Sequence, residues 1–330
     1  MKKIFALLLS AALLVTLLAA CGGGNTTDTD TDTQEPAADA STTQVEEQEP
    51  DTGDASKDDP LNQDEIGEKE LLVVSFGTSY NDSRRETIGA IEKAMQTAFP
   101  DYSVRRAFTS QIIIDHVKDR DGVTIDNVEQ ALERAVNNGV KTLVVQPTHL
   151  MNGLEYEELT DELAKYSDSF EKIAIGDPLL TSDADFEAVM TAITDATKDA
   201  ADGKTAICFM GHGTTADSNS VYSKMQTLLT DKGFNDYYVG TVEATPSLDD
   251  VLAAVQKGNY EKVILRPLMI VAGDHANNDM AGDEDDSWKS TFEKAGYTVD
   301  CQVEGLGQLE AIQQLFVEHA KDAVASAEAE

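Results

Sequence analysis

Short runs of apolar, often β-branched residues alternate with amphipathic segments along most of the chain, and this alternation restricts the fold more than any other feature. The apolar runs are four to six residues long, which suits strands, and the segments between them have helical periodicity. Strands that alternate with helices form parallel sheets covered by helices on both faces. The sequence therefore predicts an α/β fold with two groups of four strands, at residues 71–76, 103–108, 142–146 and 172–175, then 205–210, 238–242, 262–266 and 298–303.

Helix signals fill the gaps between these strands. Ser247 is a typical N-cap for a helix at residues 248–256, and Thr124 is one for a helix at residues 125–138. The remaining helices are predicted at residues 84–98, 186–200 and 221–231.

The two groups of four strands resemble each other weakly, as two copies of one unit would. Pro147 aligns with Pro267 and Gly153 aligns with Gly273. In this alignment Thr78, Phe108 and Glu155 of the first half stand opposite His212, Glu243 and His275 of the second. Glu155 is interpreted as a helix-start residue, so only the second half offers three metal-ligating residues together.

His212, Glu243 and His275 each follow a predicted strand of the second half. The carboxyl ends of parallel strands share one edge of an open sheet, where ligands bind. Two imidazoles and one carboxylate, with other positions open, suit a divalent transition ion such as cobalt, nickel, iron or zinc. Gly211 and Gly213 flank His212 and allow a sharp turn there. The sequence therefore predicts a metal site formed by His212, Glu243 and His275.

Several separated motifs resemble the anaerobic cobalt chelatases of cobalamin biosynthesis, which are class II chelatases. The similarity extends over about residues 68–325. The motifs are residues 71–79 (LLVVSFGTS), 106–110 (RAFTS), His149 with 152–156 (NGLEY), 211–213 (GHG), 242–244 (VEA) and 273–280 (GDHANNDM).

The resemblance implies two flavodoxin-like lobes with a cleft between them, each a mainly four-stranded parallel sheet flanked by helices. We place the first lobe at residues 67–200 and the second, with the metal site, at residues 201–330. The implied activity is that of a lyase that inserts Co²⁺ into sirohydrochlorin. Fe²⁺ or Ni²⁺ and a related tetrapyrrole are alternatives, and no organic cofactor is expected.

The resemblance also implies roles for single residues. His212 or His275 would accept a pyrrole proton, since a neutral imidazole does so near pH 7. Ser75, Thr78, Phe108 and His149 would line the tetrapyrrole cleft. A tetrapyrrole with many carboxylates would also need cationic side chains near the cleft. The candidates, for which an ordinary surface or packing role is the alternative, are Arg84, Arg85, Arg105, Arg106 and Arg266.

The N-terminus has the pattern of an export signal with a lipid-attachment site. Residues 1–20 contain two lysines and an apolar run, and Cys21 follows small residues, as in a bacterial lipobox. An uncleaved membrane anchor is the alternative. Residues 21–66 are acidic and poor in large apolar residues, which predicts a disordered tether. We therefore expect an extracytoplasmic protein attached to the bacterial membrane through lipidated Cys21.

The net charge of the chain and its predicted export limit the ligands that it could bind. A formal net charge of −36 argues against nucleic acid as a ligand, because phosphate would be repelled. Because cobalamin assembly enzymes of this kind are typically cytoplasmic, export keeps an alternative open: a lipoprotein that binds metal, haem or a tetrapyrrole without turnover. A sugar- or peptide-binding lipoprotein is disfavoured by the single tryptophan. The sequence leaves open whether Cys208 and Cys301 are paired, and whether the protein is a homo-oligomer.

Overall fold

The computed structural model of the protein describes residues 51–329. The predicted signal segment, Cys21 and residues 21–50 of the predicted tether lie outside the described residues. Within residues 51–329, no helix combines the length and the apolar character needed to cross a membrane.

Strands and helices alternate along the described chain. The first half contains β1 (Lys69–Ser75), α1 (Asn81–Glu86), α2 (Ile88–Ala98), β2 (Ser103–Phe108), α3 (Gln111–Asp121), α4 (Val128–Asn137), β3 (Thr142–Pro147), α5 (Leu154–Ala164), β4 (Lys172–Ile175) and α6 (Asp183–Thr197). The second half contains β5 (Thr205–Gly211), α7 (Ser220–Asp231), β6 (Tyr237–Thr241), α8 (Leu248–Val255), β7 (Lys262–Pro267), α9 (Trp288–Lys294), β8 (Thr298–Cys301) and α10 (Glu310–Ala329).

The strands form two separate parallel sheets with the same order. The first lobe is built on the sheet β2-β1-β3-β4 and the second lobe on the sheet β6-β5-β7-β8. Leu71 to Val74 of the central strand β1 are fully buried, as expected of a strand covered on both faces. The predicted α/β class with two four-stranded parallel sheets is confirmed, and each predicted strand end lies within two residues of the observed one.

Two predicted helices of the first half differ from the observed ones. The helix predicted at residues 125–138 begins only at Val128, because Asn127 and Gln130 form a capping box and the Asp126 carbonyl accepts a hydrogen bond from the Phe108 amide. The helix predicted at residues 84–98 is divided at Thr87 into α1 and α2. Ser247 caps α8 as predicted.

The two lobes exchange their last helices. Helix α6 follows the first sheet but packs on α7, with the Lys224 ammonium 4.0 Å from the centre of the Phe186 ring and a 2.9 Å hydrogen bond between Thr197 and Tyr237. Helix α10 follows the second sheet but packs on β3, β4 and α2. The predicted lobe boundaries, 67–200 and 201–330, are therefore wrong for both helices, and one apolar core runs through both lobes.

Residues 51–66, here called the N-terminal strap, pack on the first lobe. Leu61 is buried in the core, and its carbonyl accepts a hydrogen bond from the Arg106 amide. The Asp58 carboxylate forms ion pairs with the buried Arg84 and Arg106. The prediction of a disordered tether is wrong for this part of the chain. Composition averaged over the segment does not reveal this packing, because it depends on single residues such as Leu61 and Asp58.

Cys208 and Cys301 are both free thiols. They lie in one row of the second sheet, because Leu265 of β7 is paired with Cys208 on one side and with Cys301 on the other. Two strand spacings separate them by about 9.6 Å, more than the roughly 7 Å that a disulfide spans between Cα atoms. The open question of a disulfide is thereby answered: the fold keeps these two cysteines apart.

Candidate metal centre

Three neighbouring strands of the second sheet deliver His212, Glu243 and His275 to one place. β5 lies between β6 and β7, and all three strands are parallel, so their carboxyl ends meet at one edge. His212 directly follows β5, Glu243 follows β6 by two residues, and His275 lies in the loop after β7. The structure thus brings together the three side chains that the sequence comparison selected.

The donor atoms of the three side chains lie within 4.8 Å of one another. His212 Nε2 is 3.9 Å from Glu243 Oε1, and the two imidazole centroids are 4.7 Å apart with rings nearly perpendicular. Bonds of about 2.0–2.2 Å to one ion place neighbouring ligand atoms about 3–3.5 Å apart. Small side-chain rotations therefore suffice to close the three donors on an ion.

The site is open to solvent. The side chains of His212, Glu243 and His275 are 48%, 56% and 33% exposed. A structural metal is normally enclosed by four protein ligands, whereas an open three-ligand site leaves positions for water or a substrate. The arrangement suits an ion that must be reached by another molecule.

Hydrogen bonds determine which nitrogen of His212 faces the donor cluster. His212 Nδ1 lies 2.7 Å from the Gly213 carbonyl oxygen. Because a carbonyl only accepts, Nδ1 carries the proton and donates it. The lone pair is then on Nε2, the atom nearest Glu243, where a metal ion or a proton can bind.

Asp279 likewise keeps the imidazole proton of His275 on Nδ1. Its carboxylate oxygen is 2.7 Å from His275 Nδ1, four residues away through a π-helical turn, Ala276–Met280. A carboxylate that accepts from the far nitrogen of a ligand histidine orients the ring and increases its basicity. Asp279 was not predicted as a site residue, although a carboxylate four residues after a candidate histidine ligand was a signal for it in the sequence.

Two glycines make the turn at His212 possible. Gly213 has a φ of +90°, and a Cβ there would be 2.9 Å from the Ala244 amide nitrogen. A Cβ on Gly211 would collide with the ring of Tyr222, whose hydroxyl accepts a hydrogen bond from the Gly213 amide. A side chain at either position would displace His212.

Most residues predicted to line the cleft from the first lobe are buried. Ser75, Thr78 and Phe108 are 1%, 2% and 0% exposed, so the prediction that they present surface to a ligand is wrong. Each stands at or just after a strand end, where residues of other segments cover it. The Ser75 hydroxyl is bonded to the Thr148 hydroxyl, and the Phe108 ring lies against Gly77.

Three apolar side chains remain exposed at the carboxyl edge of the first sheet. Phe76 follows β1 and is 49% exposed, Ile112 is the second residue of α3 and is 82% exposed, and Leu154 is the first residue of α5 and is 56% exposed. None of the three was predicted as a site residue, although an exposed apolar residue in the first turn of a helix was an available signal for Ile112 and Leu154.

His149 is half-buried, but both of its ring nitrogens are buried and have no hydrogen-bond partner among residues 51–329. Burial lowers the pKa of this imidazole to about 4, although the Glu155 carboxylate acts in the opposite direction. His149 is therefore neutral at pH 7. Glu155 lies in the first turn of α5, as interpreted from the sequence.

The five arginines that are candidates to bind substrate carboxylates mostly pair with acidic side chains of the protein itself. Arg84 and Arg106 are fully buried and paired with acidic side chains. Arg266 pairs with Glu304, and Arg85 with Asp82 and Glu86. Arg105 is 3% exposed. Of these candidates, Arg84, Arg105 and Arg106 are therefore packing residues, the alternative that the sequence left open.

The sequence of the described domain matches the profile of the cobalt chelatase (CbiK) family over residues 69–325. The chain belongs to the cobalt chelatase (CbiK) family. The sirohydrochlorin cobaltochelatase of Salmonella typhimurium is 38% identical over 256 residues, covering 78% of this chain and 96% of that protein. Sirohydrochlorin cobaltochelatase CbiKC of Nitratidesulfovibrio vulgaris is 30% identical over 260 residues, covering 78% of this chain and 91% of that protein.

Solved chelatase structures share the fold of this family member. SirB from Bacillus subtilis with Fe³⁺ superposes with a TM-score of 0.57 at 14% identity, covering 80% of this chain and 98% of that one. The sirohydrochlorin chelatase SirB of Bacillus subtilis subspecies spizizenii in complex with cobalt gives a TM-score of 0.54 at 15% identity, with the same coverage. This chain and the two SirB structures therefore share the two-lobed chelatase fold.

Proposed function

We propose that the domain inserts Co²⁺ into sirohydrochlorin, with Co²⁺ as a substrate that His212, Glu243 and His275 hold. Membership of the cobalt chelatase family supports this activity. The observation that carries the assignment to these residues is the convergence of their three donor atoms at an open edge of the second sheet.

The two carboxyl edges face each other at this place. The Ser218 hydroxyl oxygen lies 3.5 Å from the position a Cβ would take on Gly153, and the Thr78 hydroxyl lies similarly close to Gly273. A flat macrocycle entering between the lobes would meet the ion on one side and the exposed apolar side chains of the first lobe on the other. Those side chains are Phe76, Ile112 and Leu154.

Insertion exchanges two pyrrole protons for one divalent ion. The Nε2 atoms of His212 and His275 have lone pairs available, because their Nδ1 protons are donated to Gly213 and Asp279. As the ion passes from the protein to the ring nitrogens, the released Nε2 atoms and the Glu243 carboxylate become free to accept the protons. Either imidazole has the geometry for this role.

Turnover distinguishes the enzyme from a binding lipoprotein. Purified protein is mixed with excess sirohydrochlorin and Co²⁺, and the absorbance of the metallated product is followed. We expect product in excess of the protein concentration, and loss of this activity in His212→Ala and His275→Ala. His116→Ala is the matched control, since His116 is an exposed histidine of α3. Stoichiometric binding without turnover would favour the carrier.

We also propose that residues 1–20 direct export and that lipidated Cys21 attaches the protein to the membrane, with residues 21–50 as the tether. The lysines, the apolar run and the small residues before Cys21 support this proposal. Cell fractionation tests it. The wild type is expected in the membrane fraction and Cys21→Ser outside it, and equal distribution of both would contradict lipid attachment.

A further inference from the structure

The N-terminal strap places a carboxylate between two buried arginines. Asp58 Oδ2 is 2.6 Å from Arg84 Nε and 2.7 Å from Arg106 Nη1, and Asp58 Oδ1 is 3.0 Å from Arg106 Nη2. All three side chains are at most 3% exposed. The strap precedes the segment that matches the family, which begins at residue 69.

The two arginines depend on Asp58 to different degrees. Arg106 has a second carboxylate, since Glu92 accepts two hydrogen bonds from it at 2.6 and 2.7 Å. For Arg84, Asp58 is the only carboxylate that accepts a hydrogen bond among residues 51–329. Removing the charge of Asp58 would therefore leave buried Arg84 without a hydrogen-bonded carboxylate, while Arg106 would keep Glu92.

Arg84 connects the strap to the edge where the lobes meet. It donates to the Thr78 carbonyl at 3.1 Å and to the Asn81 side-chain oxygen at 2.5 Å. These bonds tie the loop after β1 to the first turn of α1. The strap also supplies the N-terminal cap of α1, because the Thr52 carbonyl accepts from the Asp82 amide at 2.9 Å, and no side chain caps this helix.

Helix α1 is six residues long, too short to be stable without such support. It touches the loop that carries His275. The Ser83 hydroxyl accepts a hydrogen bond from the Ala272 amide at 2.9 Å. A Cβ on Gly273 would lie 3.1 Å from the Thr78 hydroxyl oxygen. Ala272 and Gly273 precede His275 by three and two residues, so α1 borders the backbone that positions this ligand.

We propose that Asp58 is a positioning residue of the metal centre, which acts through Arg84 and α1 on the loop formed by residues 272–275. The strap is then a working part of the chelatase domain and not a spacer. This inference rests on the proposed function, because the ion that His275 holds is the substrate of that reaction.

The test compares Asp58→Asn with Glu92→Gln. Both variants remove one buried carboxylate charge from the same cluster, but Glu92 contacts Arg106 and makes no hydrogen bond to Arg84 or α1 among the described residues. Each purified variant is titrated with Co²⁺ at a temperature where circular dichroism shows it folded. Hydrogen exchange of the Ala272 amide is followed in parallel, and turnover is measured with sirohydrochlorin.

We expect Asp58→Asn to weaken Co²⁺ binding about tenfold and to accelerate exchange at Ala272, with Glu92→Gln close to the wild type in both. Equal Co²⁺ affinity and exchange in the two variants would overturn the proposal. If Asp58→Asn does not fold, Ser83→Ala replaces it, because it cuts the contact to Ala272 and leaves the buried charges intact. Ser83→Ala with wild-type Co²⁺ affinity would likewise overturn it.

The readouts separate this inference from the proposed function. Should the wild type bind Co²⁺ without producing cobalt sirohydrochlorin, the proposed activity fails, and affinity and exchange alone decide the role of Asp58. Should the wild type turn over and Asp58→Asn match it in affinity, exchange and turnover, the activity stands and the positioning role fails.

Discussion

His275 donates its Nδ1 proton to the Asp279 carboxylate across 2.7 Å, and a single π-helical turn separates the two residues. This relationship keeps the lone pair of His275 on Nε2, which leaves that nitrogen available to the donor cluster with His212 and Glu243. The proposed metal centre therefore includes a fourth residue, Asp279, which orients His275 through this hydrogen bond.

Replacing Asp279 should weaken the metal centre without unfolding the protein. Asp279→Ala removes the acceptor for Nδ1 of His275, and we expect Co²⁺ affinity to fall about 10- to 100-fold. Asp279→Asn, which keeps one acceptor oxygen, should lose less. Isothermal titration with Co²⁺ measures the effect, with the exposed Asp286→Asn as control. Wild-type affinity in Asp279→Ala would show that the hydrogen bond does not support the site.

Glu70 should make the stability of the protein depend on pH. Burial raises the pKa of Glu70 to about 7, with Arg105 opposing the change. Because the folded state holds this proton more tightly than the unfolded chain, the contribution of Glu70 is complete below pH 4.5 and is lost as the pH rises to about 7.

Glu70→Gln cannot ionise, so it should keep the stability that the wild type loses. We expect the variant to be more stable than the wild type at pH 8 by at most about 3 kcal/mol, and equally stable at pH 4.5. Urea unfolding at the two pH values measures this. A stability difference that is the same at both pH values would contradict the raised pKa.

His149 should have the opposite pH dependence. Its pKa is lowered from 6.5 to about 4 by burial, so its contribution to stability is complete above pH 6.5 and is lost as the pH falls to about 4. Because Glu70 acts with opposite sign in an overlapping range, the comparison is made in the Glu70→Gln background. Between pH 7 and 4, His149→Phe should gain up to about 3 kcal/mol relative to its parent. Parallel stability curves would contradict a buried neutral imidazole.

The two cysteines of the second sheet should remain reduced and differ in reactivity. Burial raises the pKa of the Cys301 thiol to about 11 and that of the Cys208 thiol still further. Thiolates are the reactive species, so in a Cys21→Ser background we expect slow alkylation of half-buried Cys301 and alkylation of Cys208 only after unfolding. Mass spectrometry of the iodoacetamide-treated protein measures both. A disulfide between them under oxidising conditions would contradict the observed register.

Much of the fold was predictable, because apolar periodicity directly reports which segments are strands. The internal repeat also selected His212, Glu243 and His275, since equivalent positions of the first half hold Thr78, Phe108 and Glu155. Strand order then brings the second set together.

Other features depended on contacts that periodicity does not report. The apolar face of α10 shows that the helix packs on something, but not that it returns to the first sheet. The pairing of Asp58 with Arg84 and Arg106 joins residues 26 and 48 positions apart. A strand-end position did not reveal that Phe108 would be covered.

His212, Glu243 and His275 should hold the cobalt that is inserted. Anomalous diffraction at the cobalt edge, from crystals soaked with Co²⁺, locates the bound ion. We expect a cobalt peak within about 2.0–2.3 Å of His212 Nε2, His275 Nε2 and a Glu243 carboxylate oxygen. Cobalt bound elsewhere in the domain, with these three side chains unliganded, would contradict it.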